Sequence, residues 1–282
     1  MMTVLLILLA LSLFIYVGNK NTRSVIMNHI DLTCENGLKT KNNSPLRVLH
    51  ISDLHLENIS ISPEQLYEKL KMQSIDLIAL TGDFLDRKRS IPKLLPYLQV
   101  FKSLNPAFGM YAVFGNHDYV LRKEDLKQLK DIFTDNDVKL LRNENDQIDM
   151  EGVRLNIIGI DDFSTNRSNL KESYDGVKEG YNLVITHDPN VVLSMNDYHF
   201  DYMLSGHFHG GQIHWPKPYH LVKMGKLVKM NMVKGLHTYK EKRFYISEGL
   251  GQTGINIRIG SRPELTIHNV HIPHAIHNVK AG

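Results

Sequence analysis

Four short motifs and one lone histidine carry side chains that could bind metal ions, and each follows a hydrophobic run. In chain order they are Asp53-Leu54-His55, Gly82-Asp83, Gly115-Asn116-His117-Asp118, His187 and Gly206-His207-Phe208-His209. They supply enough carboxylate, imidazole and amide groups to hold two ions around one bridging carboxylate. Such mixed ligands suit Mn, Fe or Zn, whereas Ca and Mg favour oxygen ligands. The set therefore predicts metal-dependent hydrolysis of phosphate esters.

Each motif also has an ordinary structural explanation when it stands alone. Asp-x-His recurs by chance, a single histidine such as His187 is commonly a hydrogen-bonded structural residue, and Gly-Asn-His-Asp is typical of a turn. The ordered set is more specific, because every motif stands where a strand is predicted to end. Functional groups of open α/β sheets gather at the carboxyl ends of strands, so we expect all of these side chains at one rim.

The elements that must position the motifs alternate in the first half of the domain. Strands are predicted at residues 47–51, 75–80 and 110–114, and helices at 63–72, 92–103 and 123–134. This alternation is typical of parallel strands with crossover helices. In the second half, fewer long helices separate strands predicted at 138–141, 153–160, 183–186, 202–205, 243–247 and 265–270. We expect two packed sheets flanked by helices.

The N-terminal segment is the most apolar part of the chain. Residues 1–18 contain no charged side chain, and the apolar run approaches the roughly 20 residues that cross a bilayer as a helix. We predict a transmembrane anchor or signal segment over residues 1–19. An uncleaved anchor is favoured over a cleaved signal, because a basic first region and a small-x-small cleavage site are lacking. Lys20 and Arg23 favour a cytoplasmic domain, but two charges leave the side of the membrane open.

Composition limits the remaining organisation. A chain of 282 residues with 42% hydrophobic content can bury one sizeable core. The net charge of +3 is compatible with anionic substrates or membranes and does not demand nucleic acid. The single cysteine, Cys34, excludes an intramolecular disulfide framework and a Cys-rich zinc finger. We expect a linker over residues 20–45, a folded domain over 46–272 and a flexible tail over 273–282, with the oligomeric state left open.

The ordered motifs resemble those of the calcineurin-like metallophosphoesterase superfamily, over residues 47–270. The resemblance implies an α/β fold, a four-layer αββα sandwich, here preceded by the transmembrane helix. It also implies two divalent transition metal ions. The implied ligands are Asp53, His55 and His209 for the first ion, Asn116, His187 and His207 for the second, and Asp83 as a bridge. His207 and His209 would project from one side of an extended strand end, with Phe208 in the core.

The chemistry implied by this resemblance is in-line displacement at phosphorus. Two ions about 3.5–4 Å apart clamp the reacting oxygens, and a water that they share becomes hydroxide and attacks. His117 resembles the family's non-ligand histidine, which protonates the leaving oxygen or stabilises its charge. Its expected orienting carboxylate is Asp86, since Gly-Asp-Phe-Leu-Asp-Arg resembles the Gly-Asp-x-x-Asp-Arg-Gly signature of the protein phosphatases, although Lys88 replaces the last glycine. Asp118 is the alternative partner of His117. Its other expected roles are to cap the following helix or to support Asn116.

The C-terminal part narrows the resemblance. Residues 245–251, followed by Arg258 and Pro263-Glu264-Leu265, resemble the ending of small bacterial membrane-associated or exported phosphoesterases, the YkuE-like and YaeI-like groups. Phosphodiesters and lipid-linked or nucleotide-sugar pyrophosphates, such as UDP-diacylglucosamine, are the substrates that this subgroup implies. Arg258 is a candidate for bidentate binding of substrate phosphate, with a surface or structural arginine as the alternative.

A basic stretch lies between Lys217 and Arg243. It has eight Lys or Arg and one acid, Glu241, interleaved with apolar residues. The ordinary interpretation is a solvated loop. The sharper hypothesis is a lip that meets anionic lipid headgroups or guides an anionic substrate.

Taken together, the sequence predicts a membrane-anchored di-metal phosphoesterase, and within that class a phosphodiesterase. Its expected partners are a small-molecule or lipid phosphoester and the membrane, with no nucleic acid. Two alternatives remain, a nuclease with the same metal core and an inactive scaffold of the same fold. Activity on single-stranded DNA would identify the first, and an inert protein the second.

Overall fold

The computed structural model describes residues 1–32, 44–150 and 152–273. Its α-helices are α1 Met2–Asn21, α2 Pro63–Leu70, α3 Ile91–Ser103, α4 Lys123–Asp135, α5 Leu170–Ser173 and α6 Lys226–Lys229. Its strands are β1 Ile26–Leu32, β2 Leu46–Ile51, β3 Leu77–Thr81, β4 Met110–Val113, β5 Val138–Leu140, β6 Glu144–Met150, β7 Val153–Ile160, β8 Tyr181–Thr186, β9 Tyr202–Ser205, β10 Gly235–Tyr239, β11 Lys242–Ile246 and β12 Glu264–Val270. Cys34, part of the predicted linker and all but the first residue of the predicted tail lie outside the described residues.

The strands form two six-stranded sheets, in the orders β1-β12-β2-β3-β4-β5 and β10-β11-β9-β8-β7-β6. Strands β2 to β5 run parallel to one another, as do β7, β8, β9 and β11. Strand β12 pairs antiparallel with β2. Because parallel neighbours end at the same edge, each sheet brings its functional loops to one side.

Three apolar clusters account for the layers. The central cluster fills the space between the sheets, with Val48, Leu77 and Val113 from the first and Leu155 and Leu183 from the second. Another packs the outer face of the first sheet against α2, α3 and α4. The third covers the second sheet with short helices and turns, including α6. The predicted four-layer αββα sandwich is therefore confirmed, with a thinner helical layer on the second sheet.

The central strands form where the sequence shows unbroken apolar runs, because both of their faces are buried. Helix α2 begins with a capping box in which Ser62 Oγ accepts from Gln65 N and Gln65 Oε1 accepts from Ser62 N. This box satisfies two donors of the first turn and starts the helix beside Pro63.

Strand β1 was not predicted from the sequence. It pairs in parallel with β12, from Ile26 opposite Glu264 to Leu32 opposite Val270. Three of its seven residues, Asn28, His29 and Asp31, are polar and interrupt the apolar ones. The strand lies at a sheet edge, where such a mixed sequence is tolerated, so no apolar run marks it. The predicted linker over residues 20–45 does not hold over this strand, and the folded part begins before residue 46. The edge strands β6 and β10 were missed for the same reason.

Helix α1 extends away from the domain with its apolar side chains exposed. The most apolar 18 residues of this helix have a mean hydropathy of 2.2, and only 6% of them are buried. Its 20 residues span about 30 Å, the thickness of a bilayer core. By length and composition this helix could cross a membrane, and a signal sequence would share these properties.

Candidate metal centre

The loops after β2, β3 and β4 carry candidate ligands to one rim of the first sheet. They hold Asp53 and His55, Asp83, and Asn116 in turn. Main-chain hydrogen bonds join the first two loops, since Asp53 N donates to Gly82 O and His55 N donates to Asp83 O, each over 3.0 Å. The geometry of one loop therefore sets that of the next.

The facing sheet supplies three histidines. His187 follows β8 directly, and His207 and His209 follow β9. His207 N donates to the two Asp53 carboxylate oxygens over 3.2 and 3.3 Å, which ties the two sheets together. A Cβ on Gly206 would lie 2.3 Å from Asp53 Oδ2, so glycine permits this close approach.

Asp53, His55 and His209 form a first cluster, and all three are buried. The Nε2 atoms of the two histidines lie 3.1 Å apart. Asp53 Oδ1 lies 4.0 Å from His55 Nε2 and 3.3 Å from His209 Nε2. Ligand atoms about 2.0–2.2 Å from one ion are themselves about 3–3.5 Å apart. Both separations that involve His209 match a shared metal, and the one between Asp53 and His55 is longer.

Asp83, His187 and His207 form a second buried cluster. His187 Nε2 lies 3.1 Å from Asp83 Oδ2 and 3.1 Å from His207 Nδ1. Asp83 Oδ2 also lies 3.6 Å from His55 Nε2 of the first cluster, so Asp83 stands between the two. Asn116 lines the same pocket as Asp83 and His207.

The donor atoms fit divalent cations because their lone pairs face one another. His187 Nδ1 donates to Thr81 O over 2.8 Å, so that in the neutral ring Nε2 is a lone pair directed at Asp83. Asn116 Oδ1 is buried and has no hydrogen-bond partner among the described residues. Buried acceptors in contact are stabilised only when a proton or a metal cation lies between them. Nitrogen and oxygen donors together favour a transition metal.

The main chain is left-handed at five candidate ligands, a conformation that residues other than glycine seldom adopt. The φ angles are 52° at Asp53, 39° at His55, 55° at Asp83, 77° at His207 and 51° at His209. Such residues store about 1–3 kcal/mol of strain each and persist where the surroundings impose them. This strain at the rim supports a functional role for the loops.

The histidine pair divides between the clusters, but not through the predicted extended backbone. Phe208 is fully buried in the core of the second sheet. The positive φ angles of His207 and His209, and the 3₁₀ turn at His209–Gly211, replace an extended strand end. The opposite directions of the two rings come from this turn rather than from strand alternation.

Burial and mutual proximity shift the pKa values of the clusters. Burial lowers the pKa of His55 to about 3 and also lowers the pKa of His209. Burial would lower the pKa of His187 too, but the Asp83 carboxylate outweighs it and raises this pKa. Burial raises the pKa of Asp53 to about 6, against the effect of His187. Neutral His55 and His209 present lone pairs, as metal binding requires.

Asp118 links two of the rim loops through main-chain contacts. Its Oδ1 accepts from Phe84 N over 2.9 Å and Leu85 N over 3.2 Å, and its Oδ2 accepts from Asp83 N and Gly115 N, each over 2.9 Å. The side chain is fully buried. The predicted alternatives for this residue included support of the Asn116 loop, and its bond to Gly115 N is of that kind.

His117 lies at the open side of the rim, with 31% of its side chain exposed. Its ring centroid is 4.8 Å from that of His55, and its N donates to Asp83 Oδ1 over 2.8 Å. Asp86 Oδ2 lies 3.8 Å from His117 Nδ1, an ion-pair separation longer than a hydrogen bond. Of the two carboxylates considered from the sequence, Asp86 is beside this ring, whereas Asp118 faces main-chain donors.

Arg258 does not line the pocket, and this geometry gives no support to its predicted contact with substrate phosphate. Its guanidinium is fully buried. It donates to the carbonyl oxygens of Glu248 over 2.6 Å, His209 over 3.3 Å and Gly249 over 3.2 Å, and also to Gly251 O. The geometry favours the alternative of a structural arginine, because both Nη groups donate to carbonyl oxygens of the loops beneath the rim.

A pocket of about 120 Å³ opens over the second cluster. The polar residues of the rim that line it are Asp83, Asn116, His117, His207 and His209, and its other lining residues include Gln212, His220, Leu221, Met224 and Thr253. Most of these other lining residues come after β9 in the chain, either within the basic stretch or just before it. The sequence pattern offered no signal that Leu221, Met224 or Thr253 would border the site.

Known proteins are similar to this chain in sequence. Residues 46–211 match the family model described as calcineurin-like phosphoesterase. The uncharacterized metallophosphoesterase YkoQ of Bacillus subtilis is 61% identical, over 91% of this chain and 94% of its own. The UDP-2,3-diacylglucosamine pyrophosphatase LpxG of Chlamydia muridarum is 28% identical, over 79% and 82%. The phosphodiesterase YaeI of Escherichia coli is 25% identical, over 80% and 82%.

Proposed function

We propose a reaction for this chain from one premise: it belongs to the calcineurin-like phosphoesterase family. It is therefore a phosphoester hydrolase that uses divalent metal ions, and it is related to the predicted YkuE-like and YaeI-like subgroup. Our proposal is that it is a di-metal phosphodiesterase that acts at a membrane on a small or lipid-linked phosphodiester or diphosphate. The observation that carries it is the pair of donor clusters with Asp83 between them.

We assign the ligands from the clusters. Asp53, His55 and His209 would hold one ion, and Asn116, His187 and His207 the other, with Asp83 contributing to both. When bound, the two ions would polarise the phosphoryl oxygens and supply a nucleophile at neutral pH. Mn, Fe and Zn suit this donor set.

The remaining roles belong to side chains of the chain itself. His117 would donate a proton to the leaving oxygen from the open side of the rim, and Asp86 would orient the ring. Asp118 keeps the loops that carry Asp83 and Asn116 in register. The apolar side chains of Leu221 and Met224 limit water at the pocket wall.

Two relatives support a diester or diphosphate over a monoester. One is named a phosphodiesterase and the other a pyrophosphatase for a diacylated nucleotide sugar. Helix α1 supports action at a membrane, as an anchor retained in the mature protein. Its last turn is bonded to the domain, which a cleaved segment would not need.

A hydrolysis screen of the full chain in detergent tests this proposal. The panel holds a monoester, a diester, a diphosphate and single-stranded DNA, each with Mn, Fe or Zn. We expect metal-dependent cleavage of the diester or the diphosphate. Asp83→Ala should abolish it and lower the bound metal, whereas the exposed Asp131→Ala on α4 should not.

Two outcomes would overturn the proposal. Preferred cleavage of the DNA would indicate the nuclease alternative. A protein inert on the whole panel, with metal bound, would indicate a scaffold.

A further inference from the structure

The last turn of α1 is packed against the folded domain. Gly18 O accepts a hydrogen bond from Arg258 N over 2.9 Å, and Asn21 Nδ2 donates to Arg258 O over 2.9 Å. Gly18 is buried, and a Cβ there would lie 2.1 Å from Ile257 Cγ2. The C-terminal end of helix α1 is therefore fixed to the domain by direct contacts.

The loop that receives α1 is hydrogen-bonded to the wall of the pocket. Arg258 donates from its side chain to His209 O over 3.3 Å. Gln212 Nε2, in the pocket wall, donates to Ile255 O over 3.0 Å. His214 N donates to Ile259 O over 2.7 Å. The end of α1 and the mouth of the pocket thus belong to one hydrogen-bonded unit.

Apolar side chains project into solvent around this mouth. We call residues 213–232 together with Ile255 the collar. Its exposed large apolar side chains are Trp215, Tyr219, Val222, Met230 and Ile255. Trp215 is 70% exposed and Ile255 65%. Exposed apolar groups gathered at one place, rather than scattered, usually mark a contact surface.

The charge of the collar has one sign. Residues 213–232 contain no Asp or Glu, and their lysines are Lys217, Lys223, Lys226 and Lys229. All four are exposed. A basic side chain near an anionic lipid surface contributes about 1 kcal/mol, and Trp and Tyr are enriched where membrane meets water. The collar therefore has the polarity of an interfacial surface.

We propose that the collar is a membrane-contact surface, and that its occupant is the bilayer that holds α1. The collar is continuous with the apolar helix, because α1 ends on the same loop that carries Ile255 and Arg258. This continuity favours lipid over a protein partner. A bilayer around α1 begins beside Gly18 and meets the collar directly. The pocket mouth then lies at the depth of the lipid headgroups.

This placement deepens the proposed function, on which the following consequence rests. A phosphoester in the headgroup of an amphiphile reaches the rim while its apolar part stays in the bilayer. The substrate class that the collar favours is thus a phosphorylated amphiphile taken from the membrane surface.

Trp215 is the only tryptophan of the chain, so its emission reports on the collar directly. The full chain is reconstituted into phosphatidylcholine–phosphatidylglycerol vesicles, with or without brominated acyl chains. We expect a blue-shifted emission that brominated lipid quenches strongly and that aqueous iodide quenches weakly. Emission that iodide quenches and brominated lipid leaves unchanged would overturn the proposal.

A matched control moves the fluorophore to the opposite end of the second sheet. Lys178 is exposed and precedes β8, whose other end carries His187. The Trp215→Phe/Lys178→Trp variant should be quenched by iodide and spared by brominated lipid. Equal quenching of both proteins by brominated lipid would also count against a specific surface.

Activity separates this inference from the proposed function. Trp215→Ser should slow hydrolysis of a phosphodiester amphiphile in the vesicles, and leave the rate on a soluble diester unchanged. An equal effect on both substrates would count against lipid delivery. A protein with no hydrolytic activity, but with Trp215 quenched by brominated lipid, would refute the function and leave the membrane contact standing.

Discussion

The rim that carries the candidate ligands and the collar around its mouth are built in opposite ways. At the rim, residues such as Asp53 and Asp83 are buried, strained and bonded through main-chain groups of neighbouring loops. In the collar, Trp215 and the four lysines face solvent on turns and one short helix. Metal chemistry requires atoms placed within fractions of an ångström, whereas a surface that meets lipid requires only the right polarity.

This difference separates the consequences of mutation. A change at the rim should alter metal binding, catalysis or folding, because each side chain there has several partners. A change in the collar should alter access of the substrate and little else. The predictions that follow test this division, from the largest expected effect to the smallest.

Replacing His117 should give the largest effect on catalysis without loss of metal. The loss of a general acid costs about 10²–10⁴-fold in rate, so His117→Gln should lower kcat by that amount on a substrate with a poor leaving group. A nitrophenyl diester, whose leaving group needs no proton, should lose much less. Steady-state kinetics on both substrates with metal analysis check this, and equal losses on both would contradict the assigned role.

Replacing Asp118 should weaken the rim itself. Asp118→Asn keeps the shape but turns an amide group toward two of the four bonded N–H groups. Each buried donor left without a partner costs about 1–3 kcal/mol, and disturbed support of ligands lowers metal affinity about 10–100-fold. Urea unfolding and metal titration measure both. Unchanged values would contradict the supporting role of Asp118, because either orientation of the amide leaves two of the four N–H groups without an acceptor.

Acid should destabilise the metal-free protein through His50, which lies behind the rim. Burial lowers its pKa to about 3, and Nε2 pairs with Thr81 Oγ1 over 2.8 Å. In the unfolded chain His50 takes up a proton near pH 6.5, whereas in the folded protein it does so only near pH 3. Its contribution to stability is therefore complete above pH 6.5 and is lost as the pH falls toward 3. Between pH 7 and 5 the loss is about 2 kcal/mol.

The variant His50→Gln isolates this contribution. It keeps a polar group near Thr81 and removes the titration, so its unfolding free energy in EDTA should fall about 2 kcal/mol less than that of the wild type between pH 7 and 5. The exposed His199 serves as the control, and His199→Gln should behave as the wild type. Parallel pH curves for His50→Gln and wild type would contradict the expectation.

A collar substitution should give the smallest effect in solution. Ile255→Ser removes an exposed side chain, and such changes usually alter the free energy of unfolding by no more than about 0.5 kcal/mol. Hydrolysis of a soluble diester should therefore stay within about twofold of the wild type. A large loss of stability or of soluble activity would show that the collar is part of the rim's support, and would remove the contrast between the two regions.

Much of the rim could be predicted because its ligands stand directly after apolar strands in the sequence. Asp53, Asp83 and His187 each follow a run that is buried on both faces, and such runs are visible without a structure. The edge strands β1, β6 and β10 were not predicted, whereas the edge strand β5 was. Strand β1 draws its order from pairing with β12, more than 200 residues away. The position of the last turn of α1 likewise depends on contacts with residues more than 200 positions away in the chain.

The sequence by itself determined the reaction class and the layered fold, because both follow from residue types and from the order of motifs and strands. Only the tertiary structure decided how His207 and His209 turn to different clusters, since left-handed φ angles are imposed by surrounding contacts. It also decided that the Arg258 side chain bonds to loops beneath the rim, and that α1 ends on the loop that is bonded to the pocket wall. These features arise from long-range packing, to which local sequence patterns do not refer.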